Sequence, residues 1–138
     1  MKLITKNTDY AIRAIIQVAM NDKEYISAAE ISRNEKIPYQ YLRKIIAELI
    51  KEKIFSSKEG TTGGVKLIKD KKKIMLVDLM NIFQGDVQLS ECIFRNKFCH
   101  KRATCVLRKN IERIEKNVIK EFSGITIASL IKEMGGKE

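Results

Sequence analysis

Residues 27–68 read SAAEISRNEKIPYQYLRKIIAELIKEKIFSSKEGTTGGVKLI. Ser27 and Glu30 form a capping-box pattern, in which the hydroxyl and the carboxylate each satisfy a free amide of a helix's first turn. Ala28, Ala29 and Ile31 supply the apolar face of a short helix that stops near Asn34-Glu35-Lys36. Ile37-Pro38 is a turn and a new start, because proline at the first helical position has no amide hydrogen to leave unpaired. The next helix is expected to run to about Lys53. Leu42, Ile45, Ile46, Leu49 and Ile50 line one face, and Tyr39, Gln40, Arg43 and Lys44 lie near the exposed N-terminal end. Ile54–Ser57 and Val65–Ile68 then read as two short strands, joined by Glu59–Gly64, whose glycines permit the positive φ of a tight turn. Helix, turn, helix and hairpin in this order define a winged helix-turn-helix. The expected fold class is mainly α with a small β-hairpin.

Working outward, Tyr10, Ala11, Ala14, Ile15, Val18 and Ala19 recur at helical spacing and predict a first helix from about Thr5 to Met20. Beyond the hairpin, the charged connector Lys69–Lys73 leads to a short helix over Val77–Phe83, with Val77, Met80 and Phe83 inward. An irregular segment from Gly85 to about Thr104 follows. The longest helix is expected from Cys105 to Phe122, with Leu107, Ile111, Ile114, Val118 and Phe122 in one apolar stripe. Two partners suit that stripe: a second subunit, or the chain's own first helix. Thr126 is placed to cap a last helix over Ile127–Met134. The expected division is a winged-helix domain over 1–84, a cysteine-containing loop over 85–105, and a dimerisation helix with its tail over 105–138.

The chain has 138 residues, 44% of them hydrophobic, with one Pro and seven Gly, which suits one globular domain rather than a linker-rich chain. Met1-Lys2-Leu3-Ile4-Thr5-Lys6 is not a signal peptide, and no uninterrupted apolar stretch is long enough to span a bilayer. The expected compartment is the cytoplasm, where thiols stay reduced; three cysteines also fit poorly with a disulfide framework.

The formal net charge is +10. Nucleic acid is the first polyanion to suit such a chain and an anionic membrane surface the second, while a generally basic proteome would give the same total. The distribution favours nucleic acid. From Lys36 to Lys73 eleven basic residues face four acidic ones, so most of the surplus lies on the proposed reading head. The second helix of such a motif presents its N-terminal side chains to base edges in the major groove. Those are Tyr39, Gln40, Tyr41, Arg43 and Lys44. Gln pairs bidentately with adenine, and Arg or Lys with guanine. Tyr41 either meets phosphate or a thymine methyl, or packs in the core. On the wing, Lys58, Thr61, Thr62 and Lys66 are the candidates for the flanking minor groove or phosphates.

Cys92 and Cys99 are separated by six residues, and Cys99 and Cys105 by five. Thiolates suit zinc or an iron–sulfur cluster, yet the close Cys-x-x-Cys pair of most zinc sites is absent. Free cysteines packing as small hydrophobes are the plainer alternative. Arg95, Asn96, Lys97, His100, Lys101 and Arg102 make a basic setting that would offset the charge of a thiolate-bound cluster. His100 adjoins Cys99, which makes ligation by both awkward.

The order of parts resembles the Rrf2 family of bacterial regulators. The matching segments are Met1-Lys2-Leu3 with Thr8-Asp9-Tyr10-Ala11, Tyr41-Leu42, Ser56-Ser57 with Gly60 and Gly63-Gly64, the three-cysteine loop, and Ile125-Thr126-Ile127. The resemblance covers nearly the whole chain. It implies a homodimer on a palindromic operator in double-stranded DNA, a long helix crossing between subunits, and a 2Fe–2S or 4Fe–4S cluster on Cys92, Cys99 and Cys105 whose state alters DNA affinity. IscR-like members carry a histidine three residues after the third cysteine, where this chain has Arg108. NsrR-like members supply an aspartate from the first helix, and Asp9 aligns with it, so Asp9 is the candidate fourth ligand; the alternative is that Asp9 caps or salt-bridges its own helix. Glu59 stands where relatives often carry arginine, and the wing lacks their usual Gly-Pro pair.

Three functions follow for comparison. The first is a transcription regulator, acting as repressor or activator, whose operator affinity is set by an iron–sulfur cluster sensing iron, nitric oxide or redox state. The second keeps the DNA binding but senses oxidants through the thiols themselves. The third is a CymR-like regulator controlled by a protein partner. An enzyme is not expected, since there is no phosphate-binding glycine loop and His100 has no evident catalytic carboxylate partner.

Overall fold

Thr5 begins the first helix by accepting the Thr8 amide on its hydroxyl, and each later element starts or stops for a comparably local reason. The computed structural model describes residues 2–89 and 104–135. In chain order these form α1 (Lys6–Ala19), α2 (Ala28–Glu35), α3 (Tyr39–Lys51), β1 (Phe55–Lys58), β2 (Gly64–Leu67), a 3-10 turn (Lys71–Lys73), α4 (Leu76–Gln84), α5 (Val106–Ser123) and α6 (Ile127–Glu133). The expected mainly helical chain with one antiparallel hairpin is what is found.

Several boundaries differ from expectation, each for a visible reason. The Ser27 hydroxyl accepts the Glu30 amide, but the Glu30 carboxylate faces Lys23 at 3.9 Å instead of closing the box. Pro38 is the residue before α3 rather than its first turn. α3 ends at Lys51, because Lys53 adopts φ +59 and the Ile54 amide turns back to the Leu49 carbonyl at 2.9 Å. α2 ends in the same way at Lys36, φ +55, where Ser32 accepts the Ile37 amide on its carbonyl and donates its hydroxyl to the Ile37 carbonyl. That double clasp closes the turn between the two helices.

Both strands lie one residue from their expected positions, with Phe55 opposite Leu67 and Ser57 opposite Val65. A third extended stretch joins them. Ile26 exchanges both backbone hydrogen bonds with Val65, at 3.0 and 2.8 Å. Gly64 makes this approach possible. At φ +142, a Cβ there would meet the Ile26 carbonyl oxygen at 2.2 Å.

The core gathers Ala11, Ala14 and Ile15 of α1, Ile31 of α2, Leu42 and Leu49 of α3, Phe55 of β1 and Leu79 of α4, all essentially inaccessible. α6 adds Ile127 and Ile131, so the C-terminal tail packs with the winged helix. A backbone bridge between Met75 and Thr126 fixes it there, and α6 starts on a complete capping box between Thr126 and Ser129. Of the three positions expected inward on α4, Val77 and Met80 are buried and Phe83 is half-buried.

α5 departs most from expectation. It packs on α4. Its apolar stripe is divided: Ile111, Val118 and Phe122 are half-buried, whereas Leu107 and Ile114 stay 63% and 39% exposed. Its one buried residue is Glu115, whose carboxylate accepts the Leu89 amide at 2.8 Å.

Candidate nucleic-acid interface and cysteine segment

α3 buries Leu42, Ile45, Ile46 and Leu49, and the same helical period turns Tyr39, Gln40, Tyr41, Arg43 and Lys44 outward. All five expected reading residues are exposed. Tyr41, for which core packing was the alternative, is 51% exposed, so it is not a core residue. Its ring lies 5.8 Å from the Lys6 ammonium of α1, and the Arg43 guanidinium lies 5.9 Å from the Tyr39 ring. Such contacts hold cationic heads near aromatic faces while leaving them in solvent.

The wing places Lys58, Thr61 and Thr62 on the surface and leaves Lys66 half-exposed. Lys58 and Lys66 converge on Tyr25, at 5.6 and 5.3 Å from the ring centroid. Lys66 also meets Glu24 at 3.6 Å. Neither Tyr25 nor Lys6 was expected at the site. The signal available for Tyr25 was its position beside Ile26, an apolar residue just ahead of a helix cap, which marks the extended stretch that joins the hairpin.

Of the three cysteines, Cys92 and Cys99 lie outside the described residues, as does His100. Cys105 is half-buried and is the residue before α5, its sulfur accepting the Arg108 amide at 3.4 Å. That end of a helix favours negative charge. The Arg108 side chain, at the position of the IscR-type histidine, reaches Glu112 at 3.0 Å.

The near end of the cysteine segment is tied down by a polar cluster. Gln84, the last residue of α4, accepts from the Thr8 hydroxyl at 2.6 Å and the Thr5 amide at 3.1 Å, and donates to the Leu3 carbonyl at 2.8 Å. Thr8 is wholly buried, so this satisfied network fixes the exit of α4 against the first turn of α1. Asp9, the next residue of α1, is exposed and faces elsewhere. The Asp9 carboxylate lies 3.3 Å from Arg13 Nε, four residues on along the same helix. That nitrogen has no aligned hydrogen bond, so the contact is a charge pairing rather than a directed bond. Arg13 directs its terminal NH1 to the Glu35 carbonyl at the end of α2, at 2.9 Å. In this structure Asp9 thus salt-bridges its own helix.

Known proteins share this fold. The chain is 30% identical over 131 residues to the HTH-type transcriptional regulator NsrR of Oceanobacillus iheyensis, covering 94% of this chain and 89% of that one. Its fold is similar to that of T. potens IscR, at 20% identity and a TM-score of 0.76, over 97% of this chain and 88% of the other. It is also similar to CymR, the global cysteine regulator of B. subtilis, at 19% identity and a TM-score of 0.80, over 96% and 98%. The profile of a family described as an iron-dependent transcriptional regulator matches residues 4–133, and the chain accordingly belongs to the Rrf2 family of transcriptional regulators.

Proposed function

We propose that this chain is a cytoplasmic, homodimeric regulator that binds a palindromic operator and whose affinity is set by an iron–sulfur cluster. The observation that carries the DNA reading is the first turns of α3, where Tyr39, Gln40, Tyr41, Arg43 and Lys44 are all exposed above a fully buried inner face. These enter the major groove, and Lys58, Thr61, Thr62 and Lys66 of the wing meet the flanking backbone or minor groove. No described helix is long and apolar enough to cross a membrane. In functional terms 1–84 reads DNA, 85–105 carries the sensor, and 105–138 begins with the helix that joins the subunits. The chemistry is binding, not catalysis.

The donor set suits a cluster. Cys105 stands immediately before α5, and α4, after which the segment bearing Cys92 and Cys99 follows, ends on Gln84 against Thr5 and Thr8 of the helix that carries Asp9. Cys92, Cys99 and Cys105 would hold it, with Asp9 from the same or the second subunit as fourth ligand. The cluster, 2Fe–2S or 4Fe–4S, would supply a redox- and nitric-oxide-reactive centre. What the chain itself does is hold Asp9 on Arg13, and Arg13 on the end of α2, so that a change at Asp9 is felt at the turn between the two helices of the helix-turn-helix.

The test is a visible absorption spectrum with iron and sulfide assays on anaerobically purified protein, followed by DNA titration. A blue-end band with matched iron and sulfide, lost in Cys92→Ala, Cys99→Ala and Cys105→Ala and altered in Asp9→Ala, is expected. A colourless protein after anaerobic reconstitution overturns the cluster and leaves direct thiol chemistry or a protein partner as the control.

A further inference from the structure

The outer face of the wing is built on a residue that precedes the helix-turn-helix. Side chains alternate along a strand, so with Val65 buried, Lys66 points outward, and Lys58, two places from Ser56 opposite Lys66, shares that face. Because Ile26 pairs with Val65, Tyr25 comes alongside Lys66 on the same face. Its ring lies within 6 Å of both ammonium groups. Nothing else aromatic approaches these two lysines among the described residues.

The open groove beside this ring, of about 500 Å³, is lined by Lys23, Tyr25, Lys58 and Thr62, and also by Glu24 and Glu30. Glu24 faces Lys66 and Glu30 faces Lys23. With carboxylates so placed, the groove is no anion pocket. The ring acts instead through the lysines it touches. A lysine carries a long flexible stem, and restricting it in advance lowers the cost of ordering it on a phosphate.

We infer that Tyr25 is a positioning residue for the wing, holding the ammonium group of Lys58, with that of Lys66 beside it, where the DNA backbone meets the hairpin. This rests on the DNA-binding reading above and extends it to a residue outside both the recognition helix and the hairpin. The ring's face does the holding, so phenylalanine suffices, tryptophan improves on tyrosine, and leucine fails despite its similar apolar bulk.

The experiment is a double-mutant cycle between Tyr25→Leu and Lys58→Met, read as affinity for a duplex of arbitrary sequence over a series of salt concentrations, with circular dichroism melts of each variant. Non-specific duplex binding reports phosphate contacts directly. Tyr25→Leu is expected to weaken binding about two- to fivefold, the factor an exposed cation–π contact confers. Lys58→Met should weaken wild type more than it weakens Tyr25→Leu, and should flatten the salt dependence by about one phosphate contact. Tyr25→Phe should bind within about twofold of wild type, and Tyr25→Trp at least as tightly as wild type. Equal losses from Lys58→Met in both backgrounds overturn the inference, as does a Tyr25→Phe variant as weak as Tyr25→Leu. Should Tyr25→Leu prove unfolded, Tyr25→Trp decides, and weaker binding by that variant overturns it. A wild-type chain that ignores duplex DNA overturns the DNA reading itself, a failure distinct from either.

Discussion

α3 and α5 are both amphipathic, each with five apolar residues at helical spacing, yet they end in opposite circumstances. In α3, Leu42, Ile45, Ile46 and Leu49 are all buried. In α5, no apolar residue is buried, and Leu107 and Ile114 face solvent. The difference lies in the surroundings and not in the helices. α3 is enclosed by α1, α2 and β1, while among the described elements α5 lies chiefly on α4. An apolar stripe specifies that a helix must be covered; it does not name the cover. A second copy of α5 is the cover proposed above; a two-fold dimer would set the exposed row of Leu107 and Ile114 against its own copy.

The largest expected effect sharpens the head side of this contrast. Gly64→Val should destabilise the head by roughly 4 kcal/mol, or leave it unfolded, because the new Cβ would overlap the Ile26 carbonyl at 2.2 Å from a backbone conformation that valine avoids. Urea denaturation followed by circular dichroism reads this, and a loss below about 1 kcal/mol would mean that Ile26 does not pair with Val65. Next comes a matched pair. Leu42→Ala should cost roughly 3 kcal/mol, since it empties a sealed site. Val118→Ala, at a half-buried position of α5, should cost only about 1 kcal/mol. Equal costs in the same denaturation would show that α5 is as enclosed as α3 and would dissolve the comparison.

The order of elements was legible because hydrophobic period and caps agree along residues 27–68: Ser27 does cap α2, and the α3 face is the one its apolar spacing predicts. The helix ends were less legible. Both α2 and α3 stop on a lysine in the left-handed region, where a glycine would have marked the stop, so the end of α3 reads two residues too far. The strands shifted by one because Ile54, read as a strand start, is a buried residue of the turn that accepts the Ile68 amide. At the site, the exposed residues of α3 followed from their period alone. Tyr25 did not, because its role depends on the backbone pairing of Ile26 with Val65, far apart in the chain. The Gln84 cluster escaped for the same reason: a glutamine at the end of one helix and two threonines at the start of another carry no local sign of each other.

The smallest effect on the head comes from the substitution that bears most on α5. Ile114 is 39% exposed, so Ile114→Lys removes little buried area within one chain and should shift the stability of a single subunit by no more than about 0.5 kcal/mol. If a second copy covers this row, the wild-type chain sediments as a dimer, and its melting temperature rises with protein concentration, because association stabilises the folded form by mass action. Ile114→Lys should then sediment as a monomer, with a melting temperature independent of concentration. The two readouts separate the cases cleanly. A monomeric wild type would mean that α5 is left uncovered by its own kind. A variant that stays dimeric would place the subunit contact on another face, and Leu107 and Ile114 would have to be explained by a different partner.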